Sequence, residues 1–242
     1  HWVDCNQSRA SSAISPGYMR QLDAINMCDK TFFHTDIASE WLIKNFKNPQ
    51  SVDINHDYVK NKTSTFPLSA NSLPKSEPFD MGYDDVLVFN HRWAKSTGVN
   101  RMMDYMDGLS EYKVWCTDFQ SPKEYVGSKL NGGQYRYLLE NSIGSMCFVD
   151  SYATWNLSIQ DGLSVNKPVL IYDKPAMRKV VGDDYPLFFK TKDEFRTQLE
   201  KIKTMDNFYW KIDNHDETFK QNVISSMSDI MNKDRKHIPK DA

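Results

Sequence analysis

Short apolar runs alternating with amphipathic segments predict an α/β fold built on parallel sheets. Three observations carry this. Residues 85–90 (DVLVFN), 112–117 (YKVWCT) and 146–149 (MCFV) are brief apolar runs of strand type; the first two end on a polar residue and the third is followed by Asp150. Between them lie stretches with helical spacing, such as Val99, Met102, Met103 and Met106. Residues 145–173 read strand, loop, helix, turn, strand: an apolar run, an amphipathic segment over 156–165, the break Asn166-Lys167-Pro168, and a second apolar run over 169–172. Two strands joined by a helix-length connection form a βαβ unit with parallel strands and helices on both faces.

In chain order, residues 1–5 (HWVDC) read as the tail of a strand and 6–16 as a polar loop. Residues 17–26 have helical spacing, and 31–34 (TFFH) form a short strand. Thr35 or Asp36 caps the next helix, whose apolar face is Ile37, Trp41, Leu42 and Phe46. Residues 51–55 (SVDIN) are another strand, so the first sixty residues read as an α/β fragment. From 60 to 83 the character changes: Pro67, Pro74 and Pro78 sit among Ser, Asn, Lys and Thr without periodicity. The expected organisation is therefore an α/β fragment over 1–62, a linker over 63–83, a second α/β domain over 84–205 and a helical tail over 206–242. Ser121-Pro122 starts a helix with proline in its first turn. Gly132-Gly133 reads as a flexible loop before a helix over 134–141. Beyond the βαβ unit, residues 177–181 are a short helix, 186–190 (PLFFK) a strand and 192–202 a helix.

The chain of 242 residues is 40% hydrophobic and 26% charged, with a net charge of −2, an ordinary globular composition. That charge argues against holding nucleic acid by bulk electrostatics, though not against a local basic groove. Four widely spaced cysteines without a C-x-x-C read as buried thiols of a reducing, cytoplasmic setting. No apolar run approaches the ~20 residues needed to span a bilayer. The chain begins at His1 inside what reads as a strand, which leaves room for a missing N-terminal region or a partner chain.

Two segments carry the chemistry. In N-H-R-W-A-K-S-T-G, residues 90–98, Arg92 and Lys95 follow a buried strand and precede a helix start. Both cations then sit at the carboxyl edge of the sheet, where open α/β sheets bind ligands. Arginine offers a planar fork to phosphate oxygens and lysine a mobile point charge. The alternative is a solvated basic turn, and Gly98 alone is not a phosphate loop. The second segment is residues 152–161. A helix starting near Asn156 presents the first-turn N–H groups of Leu157 and Ser158, donors suited to a diphosphate. Asp161, one turn further, can accept a bidentate hydrogen bond from a vicinal diol such as a ribose; its alternative role is to stabilise the helix start. Trp155 can line a sugar or base pocket or belong to the core.

On these residues the stretch from about 85 to 203 resembles the donor-binding domain of the GT-B glycosyltransferases, closest to their large retaining group. That group carries an arginine and a lysine after the first strand of its second domain, matching Arg92 and Lys95. It also carries an E-x7-E element followed by a G-x-P-V-[VIL] strand. Counted back from Lys167-Pro168-Val169-Leu170, the second acid falls on Asp161 and the first on Ala153. Ala153 departs from the pattern, as do Thr154 and Asn156, which stand where the family has glycines. Residues 1–60 resemble the last part of a GT-B acceptor domain, in a layout similar to the phage glucosyltransferases that act on hydroxymethylated DNA bases. Asp4 and His34 then fall at strand ends facing the interdomain cleft, as acceptor contacts or a general base; their alternative is a capped strand end and a satisfied histidine.

The resemblance implies a GT-B-like α/β protein with two Rossmann-like parallel-sheet domains, the N-terminal one reduced or truncated. It implies a hexosyltransferase that moves a sugar from a nucleotide-diphosphate donor such as a UDP-sugar, with cations and helix dipoles in place of a metal and with no cofactor. The acceptor stays open between a modified phage DNA base and a surface glycan. Two other readings stand beside it: a catalytically degenerate GT-B-like binding protein, motivated by Ala153, and another sugar-nucleotide enzyme such as an epimerase.

Overall fold

The computed structural model describes residues 25, 27–28, 30–33, 35–45, 61–65, 73–118, 120–122, 125, 127, 129–150, 156–205, 207–211 and 215–236. The chain divides into two compact units, one of residues 1–69 with 214–242, the other of residues 70–213.

In the first unit, β1 (Thr31–Phe33) pairs in parallel with β2 (Thr63–Thr65), in the register Thr31 to Thr63 and Phe33 to Thr65. Helix α1 (Asp36–Asn45) follows β1. Both predicted capping residues act there. The Thr35 hydroxyl accepts from the Ala38 N–H at 3.1 Å, and the Asp36 carboxylate from the Ile37 N–H at 2.9 Å. Phe33 and Ala38 are buried. The strand expected at 51–55 and the helix at 17–26, apart from its last residues, lie outside the described residues.

The second unit is built on five parallel strands: β3 (Val86–Phe89), β4 (Lys113–Cys116), β5 (Gly144–Cys147), β6 (Val169–Tyr172) and β7 (Phe188–Phe189). Their order in the sheet is β4-β3-β5-β6-β7. Helices α2 (Val99–Met106), α3 (Gly132–Asn141), α4 (Leu157–Ser164), α5 (Pro175–Val181) and α6 (Lys192–Lys203) complete the unit. All four residues of β3 are buried, as a parallel strand covered on both faces requires. Val86 and Val88 meet Trp115, Leu138 and Leu139 in one core cluster. Elsewhere Phe148, Phe189 and Phe195 pack ring on ring, with centroids 5.0–5.4 Å apart, and each also meets Tyr105 of α2.

The stretch read as a linker holds more structure than its composition suggests. Beyond β2, Leu73, Phe79 and Met81 pack on the core cluster of the second unit, with Phe79 edge-on to Trp115 and Tyr137. The Glu77 N–H donates to the Gly133 carbonyl at 3.1 Å, and Arg136 donates to the Pro74 carbonyl at 3.2 Å. Gly132-Gly133 is therefore the first turn of α3, capped by Asn131, and not a flexible loop. A Cβ on Gly133 would come within 2.8 Å of the Lys75 carbonyl and of the Glu77 Cβ, so close approach of residues 74–77 explains the glycine. Ser121-Pro122 opens a turn, closed by the Tyr125 N–H on the Pro122 carbonyl at 3.1 Å; the described residues of that stretch form no helix. Cys116 and Cys147 are buried as expected, whereas Cys28 is exposed. The last helix, α7 (His215–Lys236), groups with the first unit. Among the described residues no helix is long and apolar enough to cross a membrane.

Candidate functional site

In the second unit the chain runs from β3 outward to β4, then crosses back over β3 to β5. The direction of winding therefore reverses between β3 and β5. At such a switch point the loops leaving adjacent carboxyl ends diverge and open a crevice. One such loop is residues 90–98; of the other, between β5 and α4, residues 148–150 and 156 are described, and the sequence singled out 90–98 and 152–161.

Four polar side chains bind the end of β3 to helices α3 and α4 at this switch point. The Asn90 amide donates to the Tyr135 hydroxyl at 2.8 Å and to the Ser158 carbonyl at 3.0 Å, and the Ser158 hydroxyl donates back to the Asn90 carbonyl at 2.7 Å. Tyr135 in turn donates to the Asp161 carboxylate at 2.9 Å. The strand end, the first turn of α4 and the middle of α3 are thus fixed to one another. Burial raises the Asp161 carboxyl above the usual carboxylate range, and the bond from Tyr135 opposes that rise. Burial and the Asp161 charge together push the Tyr135 phenol up, so it stays a neutral donor. Asn90 and Tyr135 were not picked out from the sequence. They are 45 residues apart, and no local pattern marks the pairing.

The 90–98 loop is held by its own contacts. The Trp93 N–H donates to Asp118 beyond β4 at 2.6 Å, and the Thr97 hydroxyl reaches the Arg92 and Ala94 carbonyls, each at 2.6 Å. Gly98 has φ +79°, and a Cβ there would sit 1.9 Å from the Phe148 carbonyl oxygen. No other residue lets the loop from β3 come so close to the end of β5. This glycine has a structural meaning that its sequence context did not disclose.

Arg92 and Lys95 both lie exposed on this loop. Among the described residues neither has an ion-pair partner. Two other cations near the carboxyl ends of β5 and β6 are committed: Arg101 reaches Asp150 at 3.1 Å and Lys174 reaches it at 2.6 Å. Burial alone would raise the Asp150 carboxyl, but these two cations hold it below the ordinary range. The Arg101 guanidinium also lies over the Tyr172 ring, 4.0 Å from its centroid.

Asn156 caps α4, its side chain accepting from the Ile159 N–H at 3.2 Å while its amide donates to the Cys147 sulfur at 3.2 Å. The Cys147 thiol, pushed up to about 12 by burial, is a neutral partner. With Asn156 occupied in this way, the N–H groups of Leu157 and Ser158 are first-turn donors without an acceptor inside the helix. His91, between Asn90 and Arg92, is buried against Phe89 with its Nε2 unpartnered, and burial lowers its pKa to about 4.

The predicted residues therefore fall into two groups. Arg92, Lys95, Asn156, Leu157, Ser158 and Asp161 belong to two adjoining loops and the helix start at one sheet rim. Asp4, His34, Ala153 and Trp155 lie outside the described residues.

No protein-family model and no curated protein matches the sequence. Solved structures match by shape. Sucrose-phosphate synthase from Thermosynechococcus elongatus superposes with a TM-score of 0.58 at 9% identity, over 82% of this chain and 56% of that one. A trehalose-6-phosphate structure from E. coli, bound with UDP-2-fluoro glucose, gives 0.56 at 12% identity over 93% and 64%. TarM gives 0.55 at 10% over 81% and 40%. The chain thus spans between 40% and 64% of the length of these three structures. At 9% to 12% identity the likeness is one of fold, and the fold is that of the GT-B glycosyltransferases.

Proposed function

We propose that the protein is a glycosyltransferase that takes a nucleotide-diphosphate sugar, with UDP as the carrier, at the rim between β3 and β5. The observation that carries this is the pairing of two exposed cations, Arg92 and Lys95, with a carboxylate, Asp161, tied to the same strand end through Tyr135 and Asn90. An anionic diphosphate supplies what the cations and the first-turn N–H groups of α4 lack. A ribose diol supplies two hydroxyl donors to Asp161. One structure of similar fold is bound with UDP-2-fluoro glucose.

In the transfer, an acceptor hydroxyl oxygen forms a bond to the anomeric carbon as the bond from that carbon to the diphosphate oxygen breaks. Charge grows on the departing diphosphate. Arg92 and Lys95 stabilise it more in the transition state than in the bound donor, and this difference lowers the barrier. The acceptor proton leaves to a base, for which Asp4 and His34 are the candidates from the sequence. Metal independence is part of the proposal, because cations and a helix dipole already meet the diphosphate. The acceptor is a glycan or a modified DNA base; duplex DNA binding that weakens steeply with salt favours the latter.

The test is release of nucleoside diphosphate from a panel of UDP-, ADP- and GDP-sugars. Arg92→Ala should lower the rate by roughly 10–100-fold, the worth of about 1.5–3 kcal/mol for a charge-assisted hydrogen bond. A second reading rests on Ala153, where the family pattern has an acid: a binding protein that keeps the donor site without turnover. UDP binding with no release from any donor selects that reading, and neither binding nor release overturns both.

A further inference from the structure

At the opposite edge of the same sheet lies a cleft of 470 Å³, within the roughly 300–1,000 Å³ of small-molecule sites. It is lined by the segments that enter β5 and β6 and by the chain that leaves α6. Three helices end there. Ser142 closes α3, Asn166 and Lys167 follow the end of α4, and Met205 follows α6. Asn166 adopts φ 58°, and the Lys167 N–H returns to the Gly162 carbonyl at 3.1 Å, a left-handed cap on α4.

The charges of this cleft oppose each other. Converging helix carboxyl ends carry partial negative charge, which disfavours a bound anion. Lys167 and Lys203 line the same space, which disfavours a bound cation. Burial holds the Lys167 ammonium below its ordinary pKa, partly compensated by Glu140. What remains is a neutral ligand rich in both donors and acceptors.

An aromatic ring completes the wall. Tyr185 is fixed to the start of β6, its hydroxyl donating to the Val169 carbonyl at 2.8 Å. Phe208 and Trp210 both stand edge-on to Tyr185, at 6.2 and 5.1 Å, and the Trp210 indole donates to the Val181 carbonyl at 2.8 Å. Tyr209, between these two anchored residues, is 72% exposed and lines the cleft. A segment so well pinned that still holds an aromatic ring in water presents a flat apolar face beside amides, lysines and helix carbonyls. The C–H face of a pyranose matches that ring, and its hydroxyls match the mixed donors and acceptors.

We infer that the cleft between the amino ends of β5 and β6 and residues 207–209 binds a neutral oligosaccharide through Tyr209, Asn166 and Lys167. The inference stands apart from the donor site, because it uses none of the residues at the β3/β5 rim.

The test is titration of the full chain with maltotetraose, cellotetraose and chitotetraose, followed by amide chemical shifts. Inorganic phosphate and putrescine serve as the anion and cation controls. At least one tetrasaccharide should shift residues 166–167 and 207–209 saturably. Tyr209→Ala should weaken it about tenfold, the worth of one aromatic contact of ~1.4 kcal/mol, while Tyr209→Phe retains it. Asn166→Gly keeps the left-handed backbone and should weaken binding by roughly 2–10-fold through loss of the amide. UDP titration, read at the other rim, should be the same in all three variants. The inference is overturned if none of the three glycans moves the cleft resonances, if phosphate or putrescine moves them instead, or if Tyr209→Ala leaves the affinity unchanged.

Discussion

The two rims of the five-stranded sheet are made from the same strands and end in opposite chemistry. At the carboxyl rim, α2 and α4 begin, and side chains do the fastening: Asn90, Tyr135 and Ser158 stitch β3 to two helices. At the amino rim, α3, α4 and α6 end, and backbone caps do the fastening, as where the Ser142 N–H meets the Leu138 carbonyl and the Lys167 N–H meets that of Gly162. Helix direction thus sorts polarity across one sheet. The carboxyl rim offers N–H donors and two cations without an ion-pair partner among the described residues, while the amino rim offers carbonyls offset by lysines. Parallel βαβ topology forces this asymmetry, and the residues on each side exploit it.

The comparison breaks most severely at Gly98. Gly98→Ala places a methyl group against the Phe148 carbonyl in a left-handed backbone, so denaturant unfolding should show a loss on the order of 3–5 kcal/mol, with nucleotide binding lost in parallel. Alanine in the first turn of α3, at exposed Gly132, meets the side-chain ring of Pro74 at 2.8 Å and no backbone, in an ordinary helical conformation, and should cost less.

Acid should weaken the carboxyl rim next. His91 is neutral in the folded chain, with its pKa lowered to about 4 by burial, whereas the unfolded chain takes up the proton near the ordinary histidine value of 6.5. Through this window the unfolded state binds more protons, so stability falls as pH drops. Urea titrations at pH 7 and pH 5 should differ by about 2 kcal/mol from this group, and His91→Asn should flatten the difference.

Tyr135→Phe sharpens the comparison at smaller cost. It removes the acceptor of Asn90 and the donor of Asp161, and should destabilise by about 1–2 kcal/mol. Asp161 also loses the bond that opposes its raised pKa, so its carboxyl should titrate higher still, which NMR of the carboxyl group reads directly.

Much of this architecture is legible in the residues themselves. The VLVF and VLIY runs announce β3 and β6, because a strand covered on both faces has no polar alternation to hide it. Residues 192–202 read as a helix, and the structure adds the capping box of Thr191 with Glu194 at the start of α6. The rim loops are legible because polar residues follow such runs. What is not legible depends on contacts distant in sequence. Residues 73–81 have no periodicity of their own and take their place from Gly133 and Arg136. Pro122 reads as a helix start, yet it opens a turn whose Tyr125 ring packs on Trp93, with centroids 5.1 Å apart. Asn90 and Tyr135 carry no motif, so only the folded sheet reveals that Asp161 is anchored through them.

A thermal-shift titration measures whether the β3/β5 rim holds a diphosphate. With UDP at about a hundred times its Kd, the melting temperature should rise by about 5–10 °C, uridine should leave it unmoved, and Arg92→Ala should cut the rise to about half or less without altering the unliganded melting point. A flat response to millimolar UDP, ADP, GDP and TDP, or an undiminished shift in Arg92→Ala, would contradict a diphosphate site there.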